Sequence, residues 1–73
     1  MKFKDILLNL LKKNNLTSKQ LSEESEIPLS TINGWIFANR FPRTKILIKL
    51  KRYFKVSMDY LLGLEDESGK KLY

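Results

Sequence analysis

The chain has 73 residues, no cysteine, no histidine and a formal net charge of +6. That length holds one small domain, and without disulfides or thiolate metal sites its core must come from hydrophobic packing alone. The missing imidazole and thiol remove the usual general base, the commonest metal ligands and the triads built on them, so the composition argues against an enzyme and implies no cofactor or metal.

Phe3, Ile6, Leu7, Leu10 and Leu11 follow the i, i+3, i+4, i+7, i+8 spacing of a buried helical stripe. A first helix is therefore predicted from about Phe3 to Lys13. Lys12 and Lys13 favour its negative end, and Asn14 and Asn15 allow a left-handed exit. No apolar run reaches the roughly 20 residues needed to span a bilayer. Asp5, Asn9, Lys12 and Lys13 also break up the apolar stretch 6–11. It reads as part of a helix rather than a secretion signal, and a cytoplasmic protein is expected.

Helix 2 is predicted over about 17–25. Thr17 and Gln20 make a capping box, and Leu16 and Leu21 occupy the hydrophobic-staple positions around it. Helix 3 is predicted over about 28–37, entered through Ile27, with Pro28 setting the backbone angle of the first turn. Ile32, Trp35 and Ile36 share one face, while Leu29, Ser30, Asn33 and Gly34 turn towards the other. Gly34 inside a helix costs about 1 kcal/mol relative to alanine. Either a bulkier residue is excluded there or the position is not optimised.

A loop follows, with Asn39, Arg40 and Arg43 around Pro42. Helix 4 is predicted over about 44–54, with Ile46, Leu47, Leu50 and Phe54 facing the core and Lys45, Lys49 and Arg52 on another face. Helix 5 is announced by Ser57 as N-cap, Asp59 in the first turn and a staple between Val56 and Leu61, and it stops at Gly63. The polar tail 65–73 is expected to fray.

Charge is unevenly spread. Residues 39–55 hold Arg40, Arg43, Lys45, Lys49, Lys51, Arg52 and Lys55 with no acid, a local charge of +7 that exceeds the net charge of the whole chain. Such a block suits a polyanion, although a solvated basic helix face is the plainer reading.

Two short helices joined by a tight turn, the second exposing small polar residues, describe a helix-turn-helix. The stretch 16–35, with its Thr17 and Gln20 start, its Ile27-Pro28 turn and its Ser30-Thr31-Ile32-Asn33-Gly34-Trp35 run, resembles that motif in the phage repressor/Cro-type family, also called XRE or lambda-repressor-like. Pro42, the pattern Leu47, Leu50, Phe54, and the run Lys55-Val56-Ser57-Met58-Asp59-Tyr60-Leu61-Leu62-Gly63 look like the family's fourth and fifth helices. The resemblance covers about residues 3–64. The Ser30 to Trp35 and Asp59 to Gly63 runs look most like prophage and mobile-element regulators of low-GC Gram-positive bacteria.

The resemblance implies an all-α, compact five-helix domain over 1–64 with a central helix-turn-helix. It further implies a transcriptional regulator, a repressor, that binds double-stranded operator DNA as a homodimer. No membrane and no small-molecule ligand is implied. Carried over by position, Leu29, Ser30, Asn33 and Gly34 would meet bases, and Ser18, Asn39, Arg40 and Arg43 would meet phosphates. Leu29 suits a thymine methyl, with burial against a neighbouring subunit as the alternative. Tyr60, Leu62 and Leu64 are candidates for the dimer interface. This chain departs from the family pattern at Ser18, where glutamine is frequent, at Ser22, where alanine is usual, and at Glu26 and Ala38, where glycine is usual.

Plainer readings hold for other residues. Trp35 on the inner face is core rather than a stacking platform. Lys49, Lys51 and Lys55 read as a solvated face, as do Glu23, Glu24 and Glu26. A different function is open to the same fold, that of an antitoxin-like or antirepressor-like protein-interaction module. Leu29 and Gly34 suit a flat protein contact as well as DNA.

Overall fold

The apolar stripe Phe3, Ile6, Leu7, Leu10 and Leu11 is buried along its whole length in a computed structural model that describes residues 2–66 and 68–72. Five helices follow in order among the described residues: α1 (Phe3–Lys13), α2 (Ser18–Ser25), α3 (Leu29–Phe37), α4 (Thr44–Phe54) and α5 (Met58–Leu61). There is no strand among them, and the fold is all-α, as the sequence implies. The radius of gyration of 11.5 Å matches the ~11 Å expected of a compact chain this long, so the helices share one core.

Left-handed residues punctuate the chain. Asn15, Glu26, Asn39 and Lys55, with φ between 54° and 61°, follow α1, α2, α3 and α4 respectively. Asparagine tolerates this conformation through its short polar side chain, whereas Glu26 and Lys55 each carry a penalty of about 1 kcal/mol or more. The helix starts are built as the sequence predicts. Thr17 accepts from the Gln20 amide at 3.1 Å while the Gln20 side chain accepts from the Thr17 amide at 2.9 Å. Ser57 accepts from the Tyr60 amide at 3.0 Å. Pro28 stands one residue earlier than expected, at the N-cap of α3. Its ψ of 137° is extended, and its carbonyl accepts from the Thr31 and Ile32 amides at 3.0 and 3.2 Å.

The core gathers the α1 stripe with Leu21, Ile27, Ile32, Trp35, Leu47, Leu50, Tyr60 and Leu61. Ile46 and Phe54 face it as expected, packed against it and partly buried. One expectation needs correction here. Tyr60, proposed for a dimer interface, is 7% exposed and belongs to the core, with its hydroxyl accepting from Asn9 Nδ2 at 3.4 Å. It offers no surface to a second copy. Glu24 is exposed, as expected, and also accepts a hydrogen bond of 2.8 Å from the Tyr53 hydroxyl, which ties α2 to α4. That contact raises the Tyr53 pKa, because the deprotonated phenol would face a carboxylate.

Expected to fray, the tail is folded back against the end of α5 in its described residues. Gly63, at φ 76°, turns the chain out of α5, and the Leu64 amide returns to the Asp59 carbonyl at 2.8 Å. The Asp66 carboxylate accepts from the Ser68 and Lys70 amides and the Ser68 hydroxyl at 2.6 to 3.0 Å, which folds the chain back on itself. Glu65 and Lys71 then form an isolated antiparallel bridge, and the Leu72 amide reaches the Leu64 carbonyl at 2.8 Å. Lys71 closes the turn with ion pairs to Asp59 at 2.6 Å and Glu65 at 2.7 Å. Side chains of Asp, Ser and Lys supply what an apolar contact would otherwise have to.

Candidate nucleic-acid interface

The position of α3 is set from three sides. Ahead of it, the Ser22 hydroxyl donates to the Ile27 carbonyl at 2.5 Å across the left-handed Glu26, fixing the turn from α2. Beneath it, Ile32 and Trp35 are buried, and the Trp35 ring meets Phe3 of α1 edge-on at 5.5 Å and 88°. Behind it, Phe41 also meets Phe3, at 5.6 Å and 66°, and Pro42 is buried beside it in the loop. One face of α3 is thereby held against the domain, and the opposite face carries Leu29, Ser30, Asn33, Gly34 and Phe37.

Gly34 has a definite neighbour. A Cβ there would sit 3.3 Å from the Arg40 Cδ, so the aliphatic part of Arg40 lies across the glycine. The Gly34 carbonyl also accepts from both the Ala38 and Arg40 amides at 3.1 Å. Asn39, at φ 54°, turns the chain so that Arg40 comes back along α3. Asparagine here does the work of the glycine usual in the resembled family pattern one position earlier, where Ala38 stands with an ordinary negative φ of −111°.

Beside this face runs a groove of about 670 Å³, whose wall includes Ser30, Gly34, Arg40, Phe41 and Arg43. The structure thus brings four of the eight carried-over positions together. Leu29, 38% exposed, and Asn33, half-buried, share the outer face of α3 without lining the groove. Ser18 is the half-buried first residue of α2, and Asn39 acts on the backbone of the loop. Arg43 is the N-cap residue of α4 and gives that helix no side-chain cap. All seven cations of the 39–55 block are exposed, and the ion pairs of Lys71 with Asp59 and Glu65 involve none of them. Arg40 and Arg43 line the groove, which has no acidic residue in its wall among the described residues, so its local charge is positive.

Sequence reasoning missed two residues of this surface. Phe37 is 81% exposed at the end of α3, and Phe41 is 56% exposed in the groove wall. The signal for Phe37 was present: it lies seven residues from Ser30 and four from Asn33, on the same helical face. Phe41 carried no periodic signal, because it stands in a loop.

Among the described residues no helix is long and apolar enough to cross a membrane. Over 66 residues, 90% of this chain, the sequence is 36% identical to a protein of Bacillus subtilis (strain 168) named uncharacterized HTH-type transcriptional regulator YobD. The chain spans 59% of the length of that relative. No solved structure matches the chain significantly. A family model described as helix-turn-helix matches residues 7–61, which takes in α2, the turn, α3 and α4. The chain belongs to the XRE-type helix-turn-helix family.

Proposed function

We propose that this chain is a cytoplasmic, non-catalytic regulator of transcription that binds double-stranded operator DNA through the outer face of α3 and represses by occupying promoter sequence. One observation carries the reading most: the face of α3 turned from the core exposes Leu29, Ser30 and Phe37 and is flanked by a groove lined by the exposed cations Arg40 and Arg43. Short side chains at Ser30 and Gly34 let a helix approach base edges in a major groove, and the two guanidiniums suit the adjoining phosphates. A homodimer would place two such faces on one side of a duplex. Leu62 and Leu64, both exposed beyond α5, are the remaining candidates for its interface. A prophage setting fits the likeness of the Ser30 to Trp35 run to such regulators.

Selection from a random duplex pool by the purified protein tests the reading. The expected product is an inverted repeat with half-site centres about 10 base pairs apart, one helical turn. With about 4–8 phosphates held by the dimer, affinity should fall roughly a hundred- to ten-thousand-fold between 50 and 200 mM salt. Failure to enrich any duplex, with retention of the fold, would support the protein-interaction module instead.

A further inference from the structure

We propose that Phe37 is a specificity-determining residue whose ring meets the 5-methyl group of a thymine, with Leu29 meeting a second thymine at the opposite end of α3. The inference rests on the DNA-binding reading above and deepens it. Phe37 is the most exposed of the large hydrophobic residues, at 81%, and lies outside the core and the residues packed against it. It therefore contributes little to folding. Seven residues advance a helix by almost two whole turns, so Phe37 projects within about 20° of Ser30.

A lone exposed phenylalanine on an ordinary surface needs no explanation. Here its surroundings matter. Asn33 and Gly34 precede it on the same face, and Asn39 and Arg40 follow, so polar and cationic residues adjoin the ring in the chain, with Leu29 at the far end of the face and Phe41 in the groove wall. An apolar protein partner would leave those groups unmatched. In the major groove the thymine methyl is the one apolar feature of the base edges, surrounded by acceptors and by anionic phosphates, and phenylalanine is among the residues that contact it. Leu29 and Phe37 are eight residues apart, about 12 Å along the axis. At about 3.4 Å per base pair that separation spans three to four pairs.

The test uses duplexes recovered by selection with the purified protein, resynthesised with each thymine replaced singly by deoxyuracil, which removes the methyl and no hydrogen-bonding group. Two positions per half-site, three to four base pairs apart, should each lose about three- to five-fold in affinity, the worth of one buried carbon. Phe37→Ala should abolish the uracil effect at one position and Leu29→Ala at the other. If every uracil duplex binds within two-fold of the parent, the inference is overturned while DNA binding stands. Survival of both uracil effects in Phe37→Ala likewise removes Phe37 from the reading set. If no duplex is recovered at all, both readings fall.

Discussion

The Ser22 hydroxyl and the Ile27 carbonyl, five residues apart, meet at 2.5 Å over a residue held in the left-handed region. The family pattern this chain resembles has alanine and glycine at the positions of Ser22 and Glu26. The serine bond holds a turn that the glutamate strains. Ser22→Ala should lower stability by about 1 kcal/mol, the usual worth of a hydrogen bond. Glu26→Gly should raise it by a few tenths to about 1 kcal/mol by removing the Cβ penalty. Thermal unfolding reads both, at roughly 4–8 °C per kcal/mol in a domain this size. A silent Ser22→Ala would show that the bond does not hold the turn.

Gly34 separates stability from binding. Alanine there gains about 1 kcal/mol of helix propensity, and the atom it crowds is on the exposed, flexible stem of Arg40. Gly34→Ala should therefore melt at the same temperature or higher while binding operator more weakly, because Arg40 is displaced from the groove. Paired melting and mobility-shift curves check this. A variant that binds as well as the parent would mean the Arg40 stem has no fixed seat.

Holding and reading should come apart in the same way. Arg40→Ala or Arg43→Ala should weaken operator and random duplex about equally and flatten the salt slope by about one unit per phosphate lost. Ser30→Ala and Asn33→Ala should instead narrow the gap between the two duplexes, at about 1–3 kcal/mol for a well-formed base contact. An unchanged gap in both α3 variants would displace the reading residues from this face.

The tail gives a pH prediction. The Lys71 ammonium and the Ser57 hydroxyl lower the pKa of Glu65, and the Ser68 hydroxyl with the Lys70 amide lowers that of Asp66. Carboxyls depressed in the folded state contribute stability above their ordinary values of 4.5 and 3.8 and lose it as pH falls. The Lys71 pKa is raised, chiefly by Asp59 and then by Glu65, so its contribution holds below 10.5 and fades at higher pH. Amide exchange followed by NMR should show the Lys70 and Leu72 amides losing protection in acid before those of α1 or α4. Simultaneous loss would mean the tail is no separate unit.

The helices were legible because each is written twice, once in the spacing of its apolar residues and once in its punctuation. Thr17 and Gln20, Ser57, Asn15 and Asn39 act through local backbone bonds that spacing alone encodes. What was hidden depends on tertiary position. Tyr60 carries an apolar ring and a polar tip, so its sequence suits either a surface or a core, and only the approach of Asn9 decides. The Asp66 turn is built from bonds between side chains and backbone, which leave no hydrophobic period. The groove was half visible: Ser30 and Arg43 follow from the motif, whereas the stem of Arg40 across Gly34 required the left-handed Asn39 to bring it there.

Trp35 is the one tryptophan of the chain, 2% exposed and edge-on to Phe3. Its indole packs on the core side of the helix whose outer face is proposed to meet DNA, and it borders the groove beside that face. Unfolding carries it into water and moves its emission to longer wavelength, whereas rigid docking at the groove it borders leaves the ring packed on Phe3. The domain therefore carries an intrinsic fluorophore at its most informative position. An unlabelled spectrum recorded during a DNA titration distinguishes a variant that has lost its operator from one that has lost its fold.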